Sequence, residues 1–484
     1  MSHPDDPVDL CQACCDLAAG ITLDNVRDYV VGVHRTVPLF DGREVPYVNF
    51  DNAATTPPLQ PVLDGVQRFF EWYASVHRGS GFKSMLSTHV YERCREVVAD
   101  FLGADLSHHT LIFTQNATHA LNKLAMAFCQ SADQVVLTTV MEHHSNMLPW
   151  RKLGCQVDYA GITPDGRLDM ADLEAKILTH AGRLSLVTVT GASNVTGIMP
   201  PIRRIARMAH DAGALMAVDA TQLIPHRPFS MGAPDDPERI DCICMSAHKM
   251  YAPFGAGALV GPKAAFETAV PDHVGGGTVN AVTMDEILWA PLPEKEEAGT
   301  PNLLGCLALG CVLRVLDSIG REGLAEHERT LTRRALAQLR EIDGLTIYGP
   351  DDPELRQDRL GVITFNADRF DHAQLAAILG HEWGIGVRNG CFCAQPYVRE
   401  LLGISDGEMR EIVAKLNQGD HTTVPGMVRI SFALYNTAEE VDYFLHALRT
   451  VLAEGPRADY VIDPQHLDYV PDACPVHVED YSPI

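Results

Sequence analysis

Two cysteines separated by one phenylalanine, Cys391 and Cys393, lie in the segment GVRNGCFCAQP, just after an arginine and a glycine. A thiolate is both a nucleophile and a soft metal ligand, so the pair could serve metal binding, redox chemistry or covalent catalysis. A zinc site needs four ligands, usually two C-x-x-C-like pairs, and a disulfide across one residue would be strained. Inert core thiols and a nucleophile on a turn therefore stay open as interpretations.

A lysine, Lys249, follows an apolar strand in IDCICMSAHKMYAPFGAGALVG. Asp219 and Gln222 follow another apolar strand, and Ala117 and Thr118 open a helix after the strand LIFT. Ligands of open parallel sheets gather beyond the carboxyl ends of the strands. An amine, a carboxylate and a helix N-terminus match pyridoxal phosphate (PLP), whose aldehyde, pyridine nitrogen and phosphate they would bind. The competing nucleotide site lacks a G-x-G-x-x-G after an early strand and a GxxxxGK[ST] loop.

The elements that must position these residues alternate between strand and helix. Continuous apolar strands in such an order predict an α/β fold with a mostly parallel sheet covered on both faces. The predicted strands are 111–114, 134–139, 184–190, 214–220, 240–246 and 257–261. The predicted helices between them include 61–73, 117–127 and 201–212.

Four regions are predicted along the chain. Residues 1–46 form an N-terminal arm with a candidate helix at 23–33, and residues 47–302 form the large domain. Residues 303–455 form a smaller α+β domain that begins with a long helical stretch interrupted near Gly320. The acidic tail, 456–484, contains prolines and is expected to be loosely attached. The motif CQACC at 11–15 has three cysteines but no fourth ligand nearby, so we predict no metal site.

Composition excludes several classes of protein. The 484 residues carry 63 acidic and 38 basic side chains, a net charge of −25. Such a surface repels phosphate backbones, so we expect neither nucleic acid nor an anionic membrane as a partner. No basic-then-apolar leader and no apolar run long enough to span a bilayer are visible. The 13 cysteines are scattered, which favours a reducing, cytoplasmic location over a disulfide framework.

Ten segments in this order resemble the class V aminotransferase fold, and within it the cysteine desulfurase and selenocysteine lyase family. They extend from about Val48 to about Leu452. The segments are VNFDNAATTPP, HRGSG, TQNATHALN, MEHHSNMLPW, SNVTGIMPPI, AVDATQ, SAHKMYAPFGAGAL, EAGTPN, RNGCFCA and RISFALYNT. The resemblance implies a PLP-dependent transferase of fold type I, with a seven-stranded sheet and a smaller C-terminal domain.

The resemblance also implies roles around the cofactor ring. Lys249 is similar to the Schiff-base lysine, Asp219 to the carboxylate that faces the pyridine nitrogen, and Gln222 to the partner of the ring hydroxyl. His143 matches the imidazole that stacks on the ring, and Asn194 matches a residue beside the ring hydroxyl and the substrate.

Further roles concern the phosphate and the substrate. Phosphate contacts are implied for Ala117, Thr118, Ser246 and His248. Thr300 resembles a threonine that the neighbouring subunit lends to the phosphate, which implies a homodimer. Arg429 matches the arginine that binds the substrate carboxylate, a task suited to its planar fork. His77 and Arg78 fall at the entrance of the family's cavity, and Arg388 belongs to the loop of the reactive cysteine.

RNGCFCA is similar to the family's Arg-x-Gly-x-x-Cys-Ala, which implies that Cys393 is the reactive thiol. The expected substrate is L-cysteine or a relative, which loses its sulfur to Cys393 as a persulfide and leaves L-alanine. Lys249, Cys393 and His143 are the expected catalytic residues. A thiol suits this step because a modest fall in its pKa ionises it, whereas a serine hydroxyl is far less acidic. A protein that accepts the sulfur is a candidate partner.

This chain departs from the family's pattern at the cysteine loop. Better-known members carry two histidines where this chain has Cys391 and Phe392. The Gly-Cys-Phe-Cys sequence is instead similar to molybdenum-cofactor sulfurases, which usually carry an extra C-terminal domain. The alternatives are another PLP-dependent carbon–sulfur lyase, an epimerase or a transaminase-like enzyme, and a non-catalytic binding protein.

Overall fold

The computed structural model describes residues 19–355, 358–418, 424–463 and 468–483. The CQACC motif lies outside these ranges. Within them, one large and one small sheet dominate, each with its own cluster of buried apolar side chains.

The large sheet has seven strands. In spatial order they are His109–Thr114, Gly257–Pro262, Cys242–Ser246, Leu215–Asp219, Leu184–Thr190, Val135–Thr139 and Gln156–Ala160. The strand Gly257–Pro262 runs antiparallel to both neighbours, and the remaining neighbours are parallel. The predicted mostly parallel, seven-stranded α/β sheet is confirmed. Three of its strands are buried at every residue and three more at all residues but one, which is why they appear in the sequence as apolar runs.

Helices cover both faces of this sheet. They are Gln60–Phe69, Phe82–Leu102, Ala117–Phe128, Leu148–Lys152, Met170–Thr179, Ile202–Asp211 and Lys263–Thr268. Capping residues define several ends: Asn116 accepts a hydrogen bond from the His119 amide, and Gly103 ends its helix with a φ of 63°. The helix predicted to continue to residue 73 ends at Phe69.

The small sheet is antiparallel. In spatial order its strands are Leu345–Tyr348, Val362–Ala367, Met427–Ser431 and Arg388–Gly390. The helices of this part of the chain are Leu303–Ile319, Arg321–Leu339, His372–Trp383, Gln395–Leu401, Asp406–Asn417 and Ala438–Glu454. The predicted interruption near Gly320 is present, with a φ of 95° at that glycine.

Two segments differ from the predicted domain boundaries. The helix Leu303–Ile319 packs against Phe82–Leu102 in the core of the large sheet, because it is apolar on nearly every face. Conversely, Val48 and Phe50 pack in the core of the small sheet, where Val48–Asn49 pairs in parallel with Ile385–Gly386. The chain thus passes through the core of the small sheet at Val48 and Phe50, just before Asp51.

Both ends of the described chain differ from their predictions. The candidate helix at 23–33 is a single 3₁₀ turn, Val26–Tyr29, followed by a hairpin of Thr36–Pro38 and Glu44–Pro46. The tail forms a second hairpin, Tyr460–Ile462 with Tyr469–Pro471. The backbone amides of Arg457 and Ala458 donate to the buried Glu382 carboxylate, so the prediction of a loosely attached tail is wrong for these residues.

Cys129 and Cys155 form a disulfide between the end of a helix and the start of a strand, although the scattered cysteines led us to expect no disulfide framework. No single helix in the described ranges is long and apolar enough to cross a membrane. The pair Leu303–Ile319 and Arg321–Leu339 passes that test jointly, but it bends by 77°.

Candidate active site

A cavity of about 410 Å³ opens at the carboxyl ends of the parallel strands, between the two sheets. It brings together most of the residues that the sequence predicts for the site. These are Ala117, Thr118, His143, Asn194, Asp219, Gln222, Ser246, His248, Lys249, Arg388, Cys393 and Arg429. Lys249 and Cys393 therefore face the same space, although 144 positions separate them (393 − 249).

Lys249 and Asp219 are held at the ends of neighbouring strands. Lys249 ends a short 3₁₀ turn that follows Cys242–Ser246 directly. Burial and, to a smaller extent, the Arg429 guanidinium lower the pKa of its ammonium to about 8, against the opposing effect of Asp219. Asp219 is 5% exposed, and its Oδ1 accepts hydrogen bonds from the amide and hydroxyl of Thr221. A buried carboxylate so held presents a fixed negative charge to the cavity.

The helix that begins at Ala117 opens at the cavity, and its first two residues, Ala117 and Thr118, line it. The Ala117 amide donates to Ser246 Oγ at 2.7 Å, and the hydroxyls of Thr118 and Ser145 lie 2.7 Å apart. His248 lies beside Thr55, and burial lowers the pKa of its imidazole to about 4. Amides and hydroxyls at a helix N-terminus form an anion seat.

Gln222 provides the test of whether these residues fit PLP. Its Nε2 donates to the Ala53 carbonyl at 2.8 Å, whereas its Oε1 is buried without a hydrogen-bond partner among the described residues. Such an orphaned acceptor is costly unless a ligand donor satisfies it. With the anion seat, the Asp219 carboxylate and the Lys249 amine around one cavity, the residues fit PLP.

His143 lies in a segment that buried hydrogen bonds hold in place. The Ser145 amide donates to His143 Nδ1 at 3.1 Å, which leaves the ring proton on Nε2. Burial lowers the pKa of His143 to about 4, so the ring is neutral at physiological pH. Next to it, Glu142 is fully buried and accepts hydrogen bonds from Thr139 and Asn146, each at 2.6 Å. Burial raises the pKa of Glu142 to about 8.

The loop of Cys393 has an uncommon backbone. Phe392 and Cys393 both have left-handed conformations, with φ values of 53° and 54°. Two main-chain contacts hold them: Asn194 Nδ2 donates to the Phe392 carbonyl at 2.7 Å, and the His144 amide donates to the Cys393 carbonyl at 2.7 Å. The turn buries the Phe392 ring and leaves Cys393 exposed in the cavity.

Cys391 differs from Cys393 in both burial and partners. Its thiol donates to the Pro425 carbonyl at 2.9 Å and is partly buried. Burial raises the pKa of Cys391 to about 11, so this thiol stays protonated at neutral pH. Of the two cysteines in the motif, Cys393 is the one presented as a nucleophile.

Two arginines stand opposite each other on adjacent strands of the small sheet, and a carboxylate lies between them. Arg388 pairs with Arg429 in the strand register. Arg429 Nη2 lies 3.0 Å from Asp51 Oδ1, and Arg388 Nη1 lies 3.5 Å from Asp51 Oδ2. The Nε of Arg429 is buried with no hydrogen-bond partner within the described ranges. An anionic substrate group can therefore still bind at this guanidinium.

Three predicted site residues lie elsewhere. Thr300, His77 and Arg78 line a second cavity of about 600 Å³, together with Glu297 and Gly277. The expectation that His77 and Arg78 form the entrance of the substrate cavity is therefore not met within one chain. Thr300 also lies outside the first cavity, as is required of a residue that would act on a neighbouring subunit.

Comparison with known proteins identifies the family. The family model described as aminotransferase class-V matches residues 48–444. The chain belongs to the class-V aminotransferase family. It is 34% identical to a probable cysteine desulfurase of Halalkalibacterium halodurans, over 82% of this chain and 91% of that protein. It is 33% identical to a cysteine desulfurase of Haloferax volcanii, over 84% of this chain and 90% of that protein.

Solved structures of similar proteins have the same architecture. The apo cysteine desulfurase of Thermococcus onnurineus superimposes with a TM-score of 0.73 at 31% identity, covering 84% of this chain and 94% of that one. The S-sulfonic acid form of an Escherichia coli cysteine desulfurase has a TM-score of 0.71 at 27% identity, covering 89% and 98%. Membership in this PLP-dependent class-V family confirms the predicted PLP-type fold.

The structure adds residues to this class-V site that the sequence analysis missed. Asp51 pairs with both arginines, His144 holds the Cys393 carbonyl, Glu142 anchors the His143 segment, and Phe392 packs under Arg429. Each lies within a segment already singled out, and Glu142, His144 and Phe392 are next to a predicted residue. Adjacency to a motif was the only available signal, because a single sequence does not reveal which neighbour turns inward.

The described part of this class-V enzyme contains one group of potential metal ligands, His119, Asp272 and His273, whose ligand atoms lie within 4.8 Å of one another. The Lys123 ammonium contacts Asp272, so a positive charge already occupies that carboxylate. The amide of Gln115 donates to His119 Nδ1 at 3.3 Å. We therefore propose no metal ion there.

Proposed function

We propose that this class-V family member is a PLP-dependent cysteine desulfurase. It removes sulfur from L-cysteine, leaves L-alanine and carries the sulfur on Cys393 as a persulfide. The observation that carries the proposal is that Lys249, Arg429 and Cys393 line one cavity. A base, a carboxylate binder and a thiol nucleophile are the three groups that this reaction needs from the protein.

Arg429 and Lys249 would act on the α-carbon and its carboxylate. The guanidinium binds the carboxylate and so orients the substrate within the cavity. When bound, PLP supplies the electron sink that makes the α-proton of an amino acid acidic. Asp219 would hold its pyridine nitrogen, the amides at Ala117 its phosphate and Gln222 its ring hydroxyl. Because the pKa of Lys249 is lowered to about 8, a sizeable neutral fraction exists at physiological pH to accept that proton.

Cys393 would act on the sulfur. Its thiolate attacks the sulfur of the substrate, a sulfur–sulfur bond forms and the bond from sulfur to Cβ breaks. The electron pair of that bond stays with carbon, which takes up a proton and becomes the methyl group of alanine. The product on the enzyme is Cys393 persulfide, whose outer sulfur passes to an acceptor, either a small thiol or a protein. The exposed position of Cys393 supports such a transfer.

We further propose a homodimer in which Thr300 completes the phosphate site of the partner subunit. Thr300 lies in the second cavity, beside a hairpin of Val279–Val282 and Ile287–Trp289. The apolar side chains of Val282, Met284, Ile287 and Leu288 on this hairpin are largely exposed. Exposed apolar side chains in such a cluster are typical of an interface. Sedimentation velocity of the purified chain tests this, since a monomer at micromolar concentration contradicts it.

Product identification tests the activity. The purified protein is loaded with PLP and incubated with L-cysteine, L-selenocysteine or cysteine sulfinate, and alanine, pyruvate and ammonia are measured. With a thiol reductant present, which reduces the persulfide and releases its outer sulfur as sulfide, alanine in equal amount to the released sulfide or selenide supports the proposal. Pyruvate with ammonia would indicate another carbon–sulfur lyase, and a racemised substrate an epimerase. A sample that binds no PLP would indicate a non-catalytic protein. Lys249→Ala is the control, and it must yield no alanine.

A further inference from the structure

We propose that Phe392 is a positioning residue that couples the carboxylate-binding Arg429 to the loop that presents Cys393. The inference rests on the proposed function, because it assigns Arg429 and Cys393 to one substrate. It concerns a position where sequence analysis assigned no role.

The first step is the backbone of the loop. Left-handed conformations are unfavourable for residues other than glycine, and here two such residues follow each other. They persist only where the surroundings hold them in place. Asn194 and His144 each donate one hydrogen bond to a carbonyl of this turn. The third constraint is the Phe392 side chain, which is only 8% exposed and so anchors the turn in the interior.

The second step is what the ring contacts. The guanidinium carbon of Arg429 lies 4.8 Å from the centroid of the Phe392 ring. A cation over an aromatic face is attracted to it, and the attraction grows when water is excluded. Arg429 is 2% exposed, so this contact is desolvated. The ring covers one face of the guanidinium and leaves its edge, with the unpartnered Nε, for a carboxylate.

The third step is the set of contacts that joins Arg429, Phe392 and Asn194. The Asn194 side chain donates to the Phe392 carbonyl at 2.7 Å, and the Asn194 carbonyl accepts from Arg429 Nη1 at 2.9 Å. Arg429, Phe392 and Asn194 therefore contact one another in a ring. A shift of the guanidinium toward a bound carboxylate must move the Phe392 ring or the Asn194 backbone, and both are joined to the residue before Cys393. Substrate binding and thiol placement are thus linked through Phe392.

The test compares Phe392→Leu with two controls. Phe392→Tyr keeps the ring face. Phe101→Leu removes a similar contact far from the cavity, where Arg321 lies 4.3 Å from the Phe101 ring. The dissociation constant of L-alanine is measured on each PLP-loaded protein from its absorbance, and KM and kcat are measured with L-cysteine. We expect Phe392→Leu to raise the alanine constant and KM about tenfold, with Phe101→Leu within about twofold of the parent. We expect Phe392→Tyr to retain most of the affinity.

A double-mutant cycle separates coupling from general damage. In an Arg429→Gln background, Phe392→Leu should lower kcat/KM by a clearly smaller factor than in the parent, because its contact with the guanidinium is already gone and only its anchoring of the turn remains. Equal effects of Phe392→Leu in both backgrounds would overturn the inference, as would an unchanged alanine constant in the single variant.

A readout without cofactor keeps the inference distinct from the proposed function. In PLP-free protein, iodoacetamide alkylation of Cys393 is followed by mass spectrometry of its peptide. We expect Phe392→Leu to change the alkylation rate about fivefold, because the released turn no longer holds the exposed thiol in one position in the cavity, while Phe392→Tyr and Phe101→Leu leave the rate unchanged. Equal alkylation rates in all proteins would overturn the inference even if cysteine is desulfurated. Parent protein that makes no alanine would overturn the proposed function alone.

Discussion

Two turns in the described part of the chain place consecutive non-glycine residues in the left-handed region, and they are held in different ways. At Phe392 and Cys393 the constraints come from the wall of the cavity itself, through a buried ring and hydrogen bonds from two other segments. At His77 and Arg78, with φ values of 60° and 56°, His77 is bonded to Thr88 and Glu92, which lie on the helix that follows the turn.

The contrast bears on the proposed homodimer, in which a partner subunit would complete the second cavity. The turn at His77 and Arg78 lies beside the second cavity, next to Thr300 and an exposed apolar hairpin, and the Arg78 guanidinium donates to the Val279 carbonyl at 3.3 Å. Strained backbone usually marks a functional site. We infer that the turn at Phe392 and Cys393 serves the chemistry of its own chain, whereas the turn at His77 and Arg78 would act together with the partner subunit of the proposed homodimer.

The largest expected effect tests whether the turn at Phe392 and Cys393 presents the nucleophile. Cys393→Ala removes the sulfur acceptor, so we expect alanine formation from L-cysteine to fall at least about 1,000-fold while PLP absorbance persists. The matched control is Cys391→Ser, which should retain activity within about threefold because the Cys391 thiol is protonated and bonded to Pro425. Comparable losses in both variants would contradict the assignment of Cys393 as the single nucleophile.

An intermediate effect tests the lowered pKa of Lys249 in the first cavity. Burial lowers the pKa of Lys249 to about 8, so its neutral fraction grows as the pH rises through that value. We expect the rate of PLP uptake by cofactor-free protein, followed by absorbance, to increase about tenfold between pH 7 and pH 9 and then to level off. A rate that keeps rising tenfold per pH unit beyond pH 9 would mean that the pKa of the amine is unshifted.

The smallest expected effect probes the second cavity. Thr300→Ala should weaken PLP binding about fivefold through the loss of one hydrogen bond to phosphate, with kcat at saturating PLP nearly unchanged. Mixing this variant with Lys249→Ala tests the shared site, because in a mixed dimer the site with the intact lysine receives its partner's intact threonine. Tight binding at that site in the mixture is expected. If PLP does not bind tightly at that site in the mixture, Thr300 does not contribute to the neighbouring subunit's site. The proposed difference between the two turns would then lose its support.

Local sequence was sufficient for the sheet and for most of the residues around its edge. Buried parallel strands need apolar side chains on both faces, so they appear as continuous apolar runs, and Lys249, Asp219 and Ala117 follow such runs directly. Local sequence patterns did not predict which segments pack into the core of the other sheet. The helix Leu303–Ile319 packs in the large core, and Val48 and Phe50 pack in the small one.

The sequence by itself determined which chemical groups are present at the site. An amine, a carboxylate and a thiol, each within a recognisable motif, limit the reactions that are available. Only tertiary structure decided which neighbours hold them. Asp51 reaches Arg429 across 378 positions, and Asn194 reaches the Phe392 carbonyl across 198. Contacts of such separation depend on how two cores pack together, a property of the whole chain that no local pattern of residues encodes.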